Sequence, residues 1–233
     1  MIQEFKQKLE KIKSEIKKAA MAGNRDPQSV RLVGVSKTKP AHSVKHAIAA
    51  GLTTLGENYI QEAGKKIQDL SSYPASWHFI GHLQRNKAKD AVRLFDLIHS
   101  VDSLKLAQEL NKQAKKNNKI QNILVQVNIG DQLSKSGVHP QKCLNLIQEI
   151  SLLQNLSVRG FMTMPPFFDN PEKARPFFSE LRNLRDQIKK HNVKNISMNQ
   201  LSMGMTGDFQ VAVQEGATLV RIGTALFGKR ETQ

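Results

Sequence analysis

Eight short apolar runs alternate with segments of helical periodicity along this chain of 233 residues. The runs are rich in Val, Ile and Leu, as expected of strands that are buried on both faces. Strands that alternate with helices form parallel βαβ units, and eight such units close a (β/α)8 barrel. The sequence therefore predicts an α/β protein with the (β/α)8 TIM barrel fold. The predicted strands comprise residues 30–35, 53–55, 77–80, 97–101, 123–129, 156–162, 196–203 and 219–222.

An open doubly wound sheet is the competing architecture for the same alternation. Sheets of that type that bind dinucleotides carry Gly-x-Gly-x-x-Gly after their first strand. The residues after the first predicted strand are Ser36-Lys-Thr-Lys-Pro40, which lack this motif. We therefore favour the barrel.

An amphipathic segment precedes the first predicted strand. Apolar side chains recur at helical spacing from Ile2 to Ile16 and mark one face of a helix, which Gly23 ends. This apolar stripe is too short for a coiled coil. We expect residues 1–23 to form a helix that caps the barrel, and residues 1–233 to form a single domain.

The charge of the chain is strongly basic, with 35 Lys and Arg against 20 Asp and Glu and a net charge of +15. Such a charge suggests a polyanionic partner. The basic residues lie between apolar positions at helical spacing, however, as they do on solvated helix faces. Two Tyr and one Trp also leave few rings on which bases could stack. A nucleic-acid partner is therefore not expected.

Three features bear on the location of the protein. A single Cys excludes an intrachain disulfide. Glu4 and Lys6 stand where a signal peptide would have an apolar stretch. No apolar run approaches the roughly 20 residues that span a membrane. We therefore expect a cytoplasmic protein that has no contact with a membrane.

Lys37 occupies a position that suits covalent chemistry. The active face of such a barrel lies at the carboxyl ends of its strands, and Lys37 follows the first predicted strand directly after Ser36. A lysine at the mouth of the barrel loses hydration, which lowers its pKa and gives a nucleophilic amine that can form a Schiff base with an aldehyde. The alternative is a loop lysine that points to solvent.

Two glycine-containing turns are predicted at the end of the barrel, Ser202–Met205 after the seventh strand and Gly223–Leu226 after the eighth. The loops after strands 7 and 8 form the usual phosphate site of this barrel. Glycine lets backbone N–H groups approach a phosphate, and a helix N-terminus adds partial positive charge. Glycines that merely end strands are the alternative. Together with Lys37, the turns describe a pocket for a phosphorylated aldehyde.

Arg221 is a charged residue within the eighth predicted strand. A buried charge needs a partner, and either the ring nitrogen of a cofactor or a carboxylate such as Asp102 could supply one. His78 and His82 have a spacing that suits a metal only on a helix, whereas Gly81 here follows a strand. The sequence therefore predicts no metal site.

A series of short motifs carries a resemblance to a known family. The motifs are Val35-Ser-Lys-Thr-Lys-Pro40, Gly56-Glu-Asn-Tyr59, Trp77-His-Phe-Ile-Gly-His82, Asn86-Lys87, Ser136-Gly-Val138, Gly160-Phe-Met162, Leu201-Ser-Met-Gly-Met205 and Val220-Arg-Ile-Gly-Thr224. Over residues 5–228 the chain closely resembles the pyridoxal phosphate homeostasis protein family, whose members are single-domain proteins similar to the N-terminal barrel of alanine racemase. The resemblance implies a barrel that holds pyridoxal 5′-phosphate (PLP) as a Schiff base on Lys37.

The same resemblance implies roles for further residues. It puts Ser202, Gly204, Gly223 and Thr224 at the phosphate, Arg221 near the pyridine nitrogen, and Asn58 in the pocket. PLP stabilises carbanions best when its ring nitrogen is protonated, and a charged Arg disfavours that form. Alanine racemases have a second base, a Tyr from a separate C-terminal domain of the partner subunit. This chain stops at Gln233, and its two tyrosines, Tyr59 and Tyr73, lie outside any matching segment.

We therefore expect a PLP-binding protein with a role in vitamin B6 and amino-acid homeostasis, with no catalytic residue and no efficient turnover. A weak PLP-dependent amino-acid racemase is the alternative, and a basic adaptor for RNA or protein with a vestigial pocket is a third possibility. The expected partners are PLP, free amino acids and, transiently, PLP-dependent apo-enzymes. We expect a monomer, because no second domain follows the barrel.

Overall fold

The structure, a computed structural model, describes residues 1–130 and 136–228. Within these ranges eight parallel strands form a closed barrel in chain order, with the last strand paired back to the first. The strands are β1 (Arg31–Val35), β2 (Thr54–Glu57), β3 (Ser76–Phe79), β4 (Leu97–Val101), β5 (Gln121–Gln126), β6 (Leu156–Met162), β7 (Ile196–Met205) and β8 (Leu219–Ile222). The predicted (β/α)8 barrel is confirmed.

Amphipathic helices cover the barrel. In α5, the Ser103 hydroxyl caps the first turn by accepting from Leu106 N–H, and the buried face carries Leu106, Ala107, Leu110 and Ala114 at helical spacing. Burial of one leucine side chain contributes about 1.5–3 kcal/mol. The helices are α1 (Ile2–Ala22), α2 (Ala41–Ala49), α3 (Ile60–Asp69), α4 (Ala88–Leu94), α5 (Leu104–Lys116), α6 (Cys143–Ser151), α7 (Arg175–Lys189), α8 (Phe209–Gln214) and α9 (Thr224–Phe227).

The predicted N-terminal helix is present as α1. Its buried face includes Phe5, Leu9, Ile12 and Ile16, as the sequence pattern predicts, whereas Ile2, where the predicted stripe begins, is exposed. The helix packs against α2, α8 and α9. The rings of Phe5 and Phe227 meet edge to face, with their centroids 5.5 Å apart. The first helix of the chain thus supports α9, which follows the last strand.

Two strands extend further at their carboxyl ends than the sequence pattern predicts. β2 continues to Glu57, which pairs with Phe79, and β7 continues to Met205, which pairs with Arg221. The prediction that Ser202–Met205 is a turn after the seventh strand is therefore wrong. Glycine and polar residues in this segment look like a turn in the sequence, whereas pairing with neighbouring strands keeps them in the sheet.

The interior of the barrel is only partly apolar. A small cluster of Val33, Leu97, Leu124, Met162 and Leu219 fills part of it. His99 and Arg221 stand two residues after Leu97 and Leu219 on their strands, and alternate residues of a strand face the same side. The barrel interior therefore combines an apolar layer with a buried polar layer.

Two further findings concern the helices and the single cysteine. None of the helices within residues 1–130 and 136–228 is long and apolar enough to cross a membrane. Cys143 is fully buried, and burial raises the pKa of its thiol to about 12. Cys143 is therefore a small apolar residue of the core.

Candidate cofactor site at the carboxyl end of the barrel

A cavity of about 310 Å³ opens at the carboxyl ends of β1 and β8. Its volume lies in the range of small-molecule sites. Five of the seven predicted site residues line it, namely Lys37, Asn58, Arg221, Gly223 and Thr224. The other lining residues are Val35, Ile80, Met164, Phe167, Met205, Thr206 and Gly207.

The closure of the barrel brings the amine and the glycine turn together. β1 and β8 are parallel neighbours, and Gly34 pairs with Ile222. Lys37 follows the end of β1 and Gly223 follows the end of β8, so both residues reach the same rim. Residues that are far apart in the sequence thereby share one cavity.

The turn after β8 suits an anion. Gly223 caps α9, and Thr224 is the first residue of that helix. The first N–H groups of a helix have no partner within it, and they carry partial positive charge. Both residues line the cavity, so the start of α9 forms part of its wall.

Arg221 is 3% exposed and lies between two neutral acceptors. It donates from Nη1 to the Ser202 hydroxyl and from Nη2 to the Thr163 carbonyl oxygen, the latter at 2.9 Å. Burial lowers the pKa of Arg221 to about 10, and the nearby Asp208 acts in the opposite direction. The guanidinium is therefore charged at neutral pH. Within the described residues, its carboxylate neighbour is Asp208, which corrects the alternative that named Asp102.

Two buried histidines continue this polar layer into the barrel. His99 contacts the Ser202 hydroxyl through Nδ1 at 2.9 Å, and its Nε2 lies 3.0 Å from His78 Nδ1. Burial lowers the pKa of His78 to about 4, with Arg31 as a smaller cause, and lowers the pKa of His99 well below its usual value. Both imidazoles are therefore neutral at pH 7.

Two predicted site residues lie behind the cavity wall. Ser202 is fully buried, and its hydroxyl contacts Arg221 and His99. Gly204 has a φ of +88°, and a Cβ there would lie 2.5 Å from Ala212 Cβ in α8. The wall is formed instead by Thr206 and Gly207, between β7 and α8. Sequence reasoning missed these two residues, which directly follow the predicted turn Ser202–Met205.

Behind Lys37, the sequence reasoning missed the buried Lys66. Glu57, at the end of β2, accepts from the Ser36 hydroxyl at 2.6 Å and from Lys66 Nζ at 2.8 Å. Burial raises the pKa of Glu57, while Lys66 and Ser36 oppose that shift. In the sequence, Lys66 resembles the many exposed lysines on helix faces, so spacing gave no sign of its burial.

Asn58 lines the cavity and has a polar atom without a partner in the described part of the chain. Its Oδ1 is buried and has no hydrogen-bond partner among the described residues. Buried polar atoms in proteins nearly always have a partner. A cavity that combines this amide with an amine, a guanidinium and a helix N-terminus fits a polar, anionic ligand.

The chain was compared with known proteins. Residues 8–231 match the family model of the alanine racemase N-terminal domain. The pyridoxal phosphate homeostasis protein of Aquifex aeolicus (strain VF5) is 43% identical over 225 residues, which are 97% of this chain and 98% of that protein. The protein of that name from Pseudomonas aeruginosa PAO1 is 43% identical over 221 residues, or 95% and 94% of the two chains.

A solved structure agrees with these sequence relatives. PipY of Synechococcus elongatus PCC7942, with PLP bound, superimposes with a TM-score of 0.85 at 34% identity, over 96% of this chain and 100% of that one. Its structure without PLP gives a TM-score of 0.87. By sequence and by fold, this chain belongs to the pyridoxal phosphate homeostasis protein family.

Proposed function

We propose that the chain binds PLP as a Schiff base on Lys37 and acts in the homeostasis of PLP and amino acids without efficient turnover. The observation that carries this proposal is that Lys37 and the Gly223–Thr224 turn line one cavity of about 310 Å³. PLP needs an amine for its aldehyde and donors for its phosphate, and the cavity offers both. The PLP-bound structure of PipY, a relative over the whole barrel, supports the same ligand.

Each predicted residue has a distinct task in this proposal. Lys37 binds the aldehyde, Gly223 and Thr224 bind the phosphate with N–H groups and a hydroxyl, and Asn58 contacts the ring side of the pocket. Ser202 supports the ring end from behind, since its hydroxyl accepts from Arg221. Gly204 supports the phosphate end, since it lies in the segment of β7 that leads to Thr206. Arg221 lies at the pyridine nitrogen.

The charge of Arg221 limits the chemistry. Bound PLP supplies an electrophilic aldehyde and an electron sink. A guanidinium that is charged at neutral pH keeps a neighbouring pyridine nitrogen unprotonated, and the sink is then weak. Among the described residues that line the cavity, Lys37 and Arg221 are the only ionisable side chains, and Arg221 is a charged donor rather than a base. Racemisation needs a base on each face of the substrate, so this lining favours holding PLP over turnover.

The attachment of PLP to Lys37 is testable by chemical trapping. Borohydride reduction of the PLP-loaded protein, followed by peptide mass mapping, should place the pyridoxyl group on Lys37. Lys37→Ala should lose the visible absorbance of the Schiff base, whereas the neighbouring control Lys39→Ala should keep it. A reduced adduct chiefly on Lys39, or on Lys135 outside the described residues, would contradict the proposal.

A weak amino-acid racemase is the second candidate, because residues 8–231 match the alanine racemase N-terminal domain. Incubation of the PLP-loaded protein with L-alanine or L-serine in heavy water separates the two. We expect a spectral change upon binding of the amino acid, with little exchange at Cα. Exchange with D-isomer formation at about 1–1000 per second, the usual range of enzymes, would establish the racemase instead.

The rim of the cavity is open enough for exchange of the cofactor. Phe167 lines the cavity and is 81% exposed, so the rim presents an apolar side chain to solvent. This open rim supports access by free amino acids and by transiently bound PLP-dependent apo-enzymes. The monomeric state and the cytoplasmic location stay predictions from the sequence.

A further inference from the structure

A buried cluster around Lys66 binds both chain neighbours of Lys37. Lys66 Nζ donates to the Ser36 carbonyl oxygen at 2.6 Å and to Glu57 Oε1 at 2.8 Å. It also donates to Glu62 Oε1 at 2.6 Å, and the same oxygen accepts from Thr38 N–H at 2.6 Å. The residues before and after Lys37 are thus linked, directly or through Glu62, to one ammonium group.

The backbone of the same turn has an unfavourable conformation. Thr38 has a φ of +63°, a left-handed conformation that β-branched residues rarely adopt. Such a conformation persists only where its surroundings hold it. The hydrogen bond from Thr38 N–H to Glu62 supplies this restraint directly after Lys37.

The buried charges of this cluster contribute little to the stability of the fold. Glu57 is fully buried and Lys66 is 5% exposed. Burial of two charges removes their hydration, and this loss offsets much of their attraction. A requirement for defined geometry at Lys37 accounts for such a pair better than a requirement for stability does.

We propose that Lys66, together with Glu57 and Glu62, is a positioning residue that holds the turn around Lys37 so that its amine meets the aldehyde of PLP. This inference rests on the proposed function. In the step that it assists, the neutral Lys37 amine forms a C=N bond to the aldehyde carbon, and the aldehyde oxygen leaves as water. A displacement of about 1 Å costs such a reaction about 100-fold in rate.

The test compares two ligands on matched variants. Lys66→Met removes the central ammonium group, and Glu62→Ala removes the acceptor of Thr38 N–H while leaving Lys66 bound to Glu57 and Ser36. Lys65→Met and Gln61→Ala are the controls, since both residues are exposed on the same helix, α3. PLP reports the rate of Schiff-base formation by its absorbance. Pyridoxine 5′-phosphate, which has the ring and phosphate but no aldehyde, reports non-covalent binding by calorimetry.

We expect Lys66→Met and Glu62→Ala to slow Schiff-base formation about 10- to 100-fold while the affinity for pyridoxine 5′-phosphate stays within twofold of the wild type. The controls should match the wild type with both ligands. If Lys66→Met does not fold, as judged by circular dichroism, Glu62→Ala decides the question. Unchanged rates in the folded variants, or parallel losses with both ligands, would overturn the positioning role. A wild-type protein that forms no Schiff base on Lys37 would overturn the proposed function itself.

Discussion

Thr224 tests the phosphate end of the proposed site at the scale of one side chain. This residue belongs to the cavity wall at the first position of α9. Loss of one hydrogen bond to a charged group costs about 1–3 kcal/mol. We therefore expect Thr224→Ala to raise the dissociation constant of PLP about 5- to 150-fold. Equilibrium dialysis measures the change, with Thr53→Ala, an exposed residue before β2, as the control.

Ser202→Ala tests an indirect effect on the retention of PLP. The Ser202 hydroxyl contacts Arg221 and His99 rather than lining the cavity. Ser202→Ala should therefore act through Arg221 and weaken retention by a similar 1–3 kcal/mol, the approximate cost of leaving a buried charged donor without its acceptor. Unchanged retention in the double variant, with both Ser202→Ala and Thr224→Ala, would mean that PLP does not bind in the orientation proposed here.

The residues of the site divide by whether their place follows from the end of a strand or from packing between elements. Lys37, Arg221 and Thr224 were predictable, because strand patterns locate the ends of strands and a barrel gathers those ends at one rim. Lys66 and His99 were not, because their burial depends on contacts between elements. A lysine on a helix and a histidine in a strand have the same sequence context whether they bind a buried partner or water.

At the scale of elements, Gly204 holds β7 against α8. Its φ of +88° and the 2.5 Å approach that a Cβ would make to Ala212 both disfavour any larger residue. Gly204→Ala should lower the free energy of unfolding by about 2–4 kcal/mol, from backbone strain and overpacking together. Urea denaturation followed by circular dichroism measures this loss.

Gly51 supplies the control for that substitution. Its φ is +101°, yet a Cβ there would have no atom within 4 Å. Gly51→Ala therefore reports the cost of backbone strain without the contact to a neighbouring helix. An equal loss in the free energy of unfolding of Gly204→Ala and Gly51→Ala would contradict the claim that β7 packs against α8 because Gly204 has no side chain.

The elements themselves were predictable to different degrees. β4, β6 and β8 have the predicted bounds, because each begins and ends with an apolar residue that is flanked by a polar residue or a glycine. β7 was predicted too short, because a glycine such as Gly204 is typical of a turn. In the structure, Met205 still pairs with Arg221. Local sequence locates the middle of a strand, whereas its end depends on the neighbouring strand.

At the scale of the whole molecule, the buried histidines make the stability of the barrel depend on pH. Burial lowers the pKa of His78 from 6.5 to about 4, and the pKa of His99 falls well below 6.5. Below pH 6.5 the unfolded chain binds protons that the folded barrel does not, so the free energy of unfolding falls as the pH falls from 6.5 towards 4. His78 alone accounts for a loss of about 3 kcal/mol over this range.

Urea denaturation at pH 7 and at pH 4.5 tests this dependence. Glu57 and Asp208 act in the opposite direction, since burial raises the pKa of both carboxyls. A variant with Gln at positions 78 and 99 retains those carboxyls but cannot protonate the imidazoles. We expect its free energy of unfolding to fall less between the two pH values than that of the wild type. An equal fall in the free energy of unfolding of both proteins would show that groups other than His78 and His99 cause the pH dependence.

The pairing of β8 with β1 has a consequence for the newly made chain. Lys37 emerges from the ribosome early, whereas the Gly223–Thr224 turn emerges only after β8. Under the proposed function, a nascent chain can expose its reactive amine long before it has a phosphate-binding end. Any aldehyde that the amine meets at that stage is attached by a reversible bond alone. Durable capture of PLP therefore awaits the last strand, and only a finished barrel withdraws the cofactor from the free pool.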